Sequence, residues 1–163
     1  MLNIRQRILA TVAYADIFDY PLTREEIAYW CIGSPVARVF LPRSVRETRG
    51  FVCLGNPNKR IEERQRRAVW SGQKLRMARR VGMLLRTIPT VDLVGVTGGV
   101  AANNATYRDD IDIFVISRKG TLWSTRLFVT LLVDILGKRR RPGDRHVQDK
   151  LCLNMFMSDD ALA

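Results

Sequence analysis

Apolar residues recur every three to four positions at the start of the chain. Ile4, Ile8, Leu9, Val12 and Ala15 share one side, which predicts a helix over residues 2–18. Tyr20-Pro21-Leu22 stops it. Thr23 with Glu26 three residues on forms a capping box, so a second helix starts there and runs to about Cys31. Gly33-Ser34-Pro35 breaks the pattern. Proline suits a first helical turn, and Val36 to Val45 is predicted as a third helix despite Pro42. Residues 49–55 read as a short strand bounded by Gly50 and Gly55. From Lys59 to Thr87 there is no proline, and Ile61, Ala68, Leu75, Ala78, Val81, Leu85 and Ile88 keep helical spacing. One long helix ended by Pro89 is expected. The period then changes. Val91 to Thr97 reads as a strand, Val100 to Tyr107 as two helical turns, and Asp110 to Ile116 as an alternating strand. Thr121 is placed to cap a helix through Leu136 that Gly137 ends, and Leu151 to Met157 closes the sheet.

This succession predicts an α+β chain: a mainly helical domain over residues 1–57, a long connecting helix over 58–88, and a core with a small mixed sheet over 89–163. Three helices followed by a strand pair resemble a winged-helix domain in which helix three would be the recognition element. The alternative is a module that packs against a neighbouring domain and reads nothing.

Composition narrows the picture. The chain has 163 residues, 47% of them hydrophobic, enough for ordinary cores. Its 27 Lys and Arg against 16 acids leave a formal charge of +11, a balance that favours polyanions such as nucleic acid. The long helix concentrates that charge, with ten basic side chains from Lys59 to Arg86 against Glu62 and Glu63. Those side chains form either a solvated face or a nucleic-acid contact. Lys138 to His146 reads as a second basic segment, a mobile loop. Cys31, Cys53 and Cys152 lie in apolar runs without metal spacing, as small buried hydrophobes of a reducing compartment do, and the lone His146 has no zinc partner nearby. The N-terminus imitates a secretory leader, but its apolar run stops at Asp16. Leu127 to Leu136 is too brief to span a bilayer, so a cytoplasmic protein is expected.

The most informative stretch runs from Gly98-Gly99 to Asp109-Asp110-Ile111-Asp112. Glycines that end a strand and open a helix leave backbone N–H groups to face an anion. Asp110 and Asp112, two apart on a strand, share a face while Ile111 and Ile113 point into the core. Paired carboxylates repel one another unless a divalent cation sits between them, and hard oxygen ligands suit magnesium. Asp109 reads as a solvated neighbour or a bond to its own loop.

A Gly-Gly pair followed at this spacing by Asp-x-Asp between two strands resembles the DNA polymerase beta-like nucleotidyltransferase superfamily, particularly its minimal members. The resemblance covers roughly residues 59–158. It implies that Gly98 and Gly99 contact the phosphates of a nucleoside triphosphate, that Asp110 and Asp112 hold Mg2+ or Mn2+, and that a nucleoside monophosphate passes to an acceptor hydroxyl. The charge favours an acceptor on nucleic acid. A protein partner, a second copy, a toxin–antitoxin role and a degenerate module that binds without chemistry are the alternatives. Two departures stand out. The family's serine is Gly99, and the strand expected to bring a third carboxylate holds Asn154 and no acid. Arg126 is either a phosphate fork or a surface arginine, with Trp123 beside it assigned to the core. The abrupt ending after Ser158 reads as a minimal member or a truncated chain.

Overall fold

The computed structural model describes residues 2–162. It is mixed α+β, with five helices and two three-stranded sheets among the described residues. The elements are α1 (Ile4–Asp16), β1 (Leu22–Thr23), α2 (Arg24–Trp30), β2 (Arg46–Thr48), β3 (Phe51–Cys53), α3 (Pro57–Leu85), β4 (Val91–Val96), α4 (Gly98–Ala101), β5 (Ile111–Ser117), α5 (Leu122–Ile135) and β6 (Leu151–Ser158). Contacts divide the chain into two units, one up to Arg66 and one from Arg67, and the division falls inside α3. No helix among the described residues is long and apolar enough to cross a membrane.

In the first unit α1 opens on a capping box of its own, Asn3 with Gln6, and α2 opens on Thr23 with Glu26. The sheet runs β1-β3-β2, all antiparallel, and lays Val52 against Ile8, Val12, Leu22 and Ile27. Each such buried aliphatic side chain is worth about 1.5 to 3 kcal/mol.

The predicted third helix does not form: residues 36–45 are turns and bends. Pro42 disfavours helical dihedrals at Leu41 and has no N–H to give. Tertiary bonds then take the backbone. Val36 donates to the Ala28 carbonyl at 2.9 Å, Arg7 donates to the Ile32 and Ser34 carbonyls, and Arg24 donates to the Val39 carbonyl at 3.1 Å. The recognition element expected of a winged helix therefore has no helix here to carry it.

In the second unit β5 is the middle strand, antiparallel to β4 and parallel to β6. A parallel pair needs a crossover, and α5 supplies it. Ile111, Ile113 and Val115 are fully buried among Ala78 and Leu85 of α3 and Val129 and Val133 of α5. Three local expectations are corrected. The two helical turns after the glycines reduce to the single turn α4, which starts at Gly98. Thr121 does not cap α5 with its side chain, because its hydroxyl donates to the Arg118 carbonyl at 2.7 Å and closes a turn instead. Trp123 is not a core residue. It is 76% exposed on α5.

Candidate active site

Three strands converge on one cluster. The β4–β5 ladder continues one pair past β4, with Thr97 N–H donating to the Asp112 carbonyl at 3.0 Å, and this brings Gly98 up against Asp112. Gly98 has φ +66, which favours glycine, and a Cβ there would stand 2.3 Å from Asp112 Oδ2, so a side chain at this turn would displace that carboxylate. Gly99 is different. Its nearest would-be contact is the Ala105 backbone at 3.6 Å, ordinary van der Waals distance, so a serine has room there. The Thr97 hydroxyl just before the turn is buried and has no hydrogen-bond partner among the described residues.

The third side of the cluster is Cys152. In the parallel β5–β6 pair it is the register partner of Asp112, and its sulfur and one oxygen each of Asp110 and Asp112 all lie within 4.8 Å of one another. Asn154 is not in this position. The register slips between Ile113 and Phe114, which pair with Leu153 and Met155, so Asn154 faces no β5 residue and is exposed. Residues 152 and 154 share a face in an unbroken strand, and only the register distinguishes them. Sequence reasoning missed Cys152 because no ligand spacing marks it.

Electrostatics sets this cluster apart. Burial, and next the Asp110 carboxylate alongside, push the Asp112 carboxyl above the usual aspartate range. Burial, then Asp110 and Asp112, push the Cys152 thiol up as well. One cation is already present: Arg140 Nη1 lies 2.6 Å from Asp110 Oδ2. The side chains fit a divalent ion by their chemistry, since they are two carboxylates and a thiol whose charged forms are mutually disfavoured without one.

The loop between the glycines and the aspartates is held by α3. Arg67 donates to the Asn104 side chain at 3.0 Å, Ser71 Oγ accepts from Ala105 N–H at 3.0 Å, and Trp70 lies against Tyr107. Lys74, counted in sequence with the basic face, is instead 2% exposed. It donates to the Tyr107 and Asp109 carbonyls at 3.2 and 2.7 Å and to the Asp149 carboxylate at 2.7 Å, which uses all three of its protons. Asp109 bonds its own loop, accepting from the Thr106 N–H and hydroxyl at 2.7 and 2.6 Å.

Beside Cys152 opens a cavity of about 410 Å³ walled by Arg126, Arg139, Arg140, Arg141 and Phe156. Arg126 stands over the Phe156 ring, 5.5 Å from its centre, while Arg139 and Arg141 share Asp134. The segment read as a mobile loop is tied down. Arg140 N–H donates to the Leu151 carbonyl at 2.9 Å, Leu151 N–H donates to the Lys138 carbonyl at 2.6 Å, and Asp144 takes the Arg141 N–H and the Lys150 ammonium. Arg126 thus shares a cavity with Cys152, while neither Asp110 nor Asp112 lines it. Gly98 borders Asp112 directly, and Gly99 follows it in α4.

Compared with protein-family models, curated proteins and solved structures, the chain matches none.

Proposed function

We propose that the second unit is a nucleotidyltransferase-type core that moves a nucleoside monophosphate from a nucleoside triphosphate to an acceptor hydroxyl. The observation that carries this reading is the Asp112 carboxylate seated over the Gly98 turn with Asp110 beside it. Asp110 and Asp112 would hold the divalent cation. When bound, that ion lowers the cost of charge building on the attacking and leaving oxygens. The protein's own work is binding and orientation. The turn at Gly98 and Gly99 lets phosphate oxygens approach the backbone, and Arg126 offers a forked, permanently charged donor from the cavity wall. Arg140 neutralises Asp110 until the cation arrives and is then free to take a phosphate. The exposed Arg76, Arg79 and Arg80 of α3, with Arg86 just after it, suit an acceptor on nucleic acid.

A second reading is a binding module without chemistry. The Arg140–Asp110 pair favours it, because a guanidinium already satisfies one of the two carboxylates.

Titration calorimetry with a non-hydrolysable triphosphate tests the site. Binding is expected only with divalent cation, and the double variant Asp110→Asn, Asp112→Asn should abolish it while the fold survives. Equal affinity in that variant removes the site. A labelled triphosphate with mixed acceptors then separates the readings, since binding without transfer selects the second. If four arginines meet phosphates, duplex affinity should fall with a log–log salt slope of roughly −3 to −4. A flat response leaves them as a solvated face.

A further inference from the structure

We propose that Cys152 is a direct ligand of the cation at Asp110 and Asp112, and that the site therefore prefers a thiophilic divalent ion of the zinc or cobalt type to magnesium. This rests on the reading of the two aspartates as metal ligands and goes beyond it by naming the third donor and the class of metal. Two observations carry it. Asp112 and Cys152 face each other on adjacent strands in fixed register, and with Asp110, just before the first of those strands, their donor atoms lie inside 4.8 Å. Cys152 also lines the arginine-walled cavity, so a metal there has an open side.

Two carboxylates and one thiolate make three protein donors, the count that leaves a fourth tetrahedral position for a water, a hydroxyl or a phosphate oxygen. Carboxylates alone suit magnesium or manganese, whereas a thiolate shifts preference towards zinc and cobalt. As the sulfur–metal bond forms, the thiol proton leaves to solvent, and both aspartates bind ionised. Arg140 must leave Asp110 in the same event. That guanidinium is 43% exposed, and ion pairs at this exposure hold weakly, so the exchange is accessible.

Cobalt(II) titration of the full chain provides the test, because a thiolate bound to cobalt gives a near-ultraviolet charge-transfer band independent of any activity. The expected result is a band that saturates at one cobalt per chain, is displaced by zinc and not by magnesium, persists in Cys31→Ser and Cys53→Ser, and is lost in Cys152→Ser. Zinc affinity should fall in Cys152→Ser by at least about a hundredfold, since the loss of even an outer-shell partner can cost a metal site that much. Cys152→Asp should lose the band and gain affinity for magnesium and manganese, which keeps the proposal falsifiable should the serine variant fold poorly. Cobalt that binds without a band, yet is weakened by Asp110→Asn and Asp112→Asn, overturns the cysteine ligand and leaves the aspartate site standing. Wild-type protein that binds no divalent cation overturns both.

Discussion

Glu26 of the first unit and Asp112 of the second are held in opposite ways. In the first unit Arg60 meets Asp16 and reaches Asp19 at 3.4 Å, and Arg64 meets Glu26 at 2.6 Å while covering the rings of Tyr20 and Phe51. In the second, Asp110 and Asp112 stand together with the Cys152 thiol, and the one arginine there, Arg140, bonds Asp110. Burial raises the Glu26 carboxyl, but the bonds from Arg64 and Thr23 outweigh it and hold that group below the usual range. At Asp112 burial and the neighbouring aspartate act together, and the carboxyl goes up. Paired acids stabilise a fold, whereas crowded ones hold charge in reserve for a ligand.

The largest effect belongs to the one buried cation of the second unit. Lys74→Ala leaves Asp149 and two loop carbonyls without their donor and should destabilise the protein by about 3 kcal/mol, the low end for a broken buried pair because Asp149 is partly exposed. Denaturant unfolding measures it. A loss under about 1 kcal/mol would make the loop clamp dispensable.

Neutralising one acid in each unit sharpens the contrast. Glu26→Gln should cost about 1 kcal/mol, since a charge-assisted bond in a half-buried site is lost. Asp112→Asn should instead stabilise the metal-free protein, since it removes a partly buried charge crowded by Asp110. The pH dependences run in opposite directions. Glu26, lowered, contributes stability that is present above the ordinary glutamate pKa and is lost as pH falls through its folded value. Asp112, raised, contributes stability that is full below the ordinary aspartate pKa and is lost as pH rises through its folded value. Melting temperatures of both variants across pH 3 to about 8 check the signs. The same sign in both would dissolve the comparison.

Smallest is Gly99→Ser. With 3.6 Å to the nearest backbone it should change stability by less than about 0.5 kcal/mol, and the added hydroxyl should tighten triphosphate binding if the turn meets phosphate. Thermal melting and calorimetry read the two effects separately.

Periodicity and caps alone determined the helices at 4–16, 24–30 and 57–85 and the alternating strand at β5, which starts at Ile111 and so holds Asp112 with Asp110 just before it. These rest on interactions within a few residues, which a linear pattern records. Residues 36–45 show where that record stops. Their helical spacing lost to Pro42, to the bond that Val36 N–H gives the Ala28 carbonyl and to the one that Arg24 gives the Val39 carbonyl, partners that lie outside the segment. The approach of Gly98 to Asp112 was equally hidden, because the carboxylate comes from a side chain fourteen positions away.

Charge was legible as a total but not as a distribution. Lys74 and Arg76 look alike in the sequence, yet one is buried against the site loop and the other faces solvent, since helix phase relative to a neighbouring loop is decided by packing. The third side of the cluster was decided in the same way. Cys152 and Asn154 are equivalent by strand parity; the β5–β6 register sets Cys152 opposite Asp112, and a slip past Leu153 leaves Asn154 without a β5 partner. The sequence by itself determined that two carboxylates stand together. Only the tertiary structure decided that sulfur and arginine stand with them, because register and long-range approach are sums over many distant contacts that no local pattern encodes.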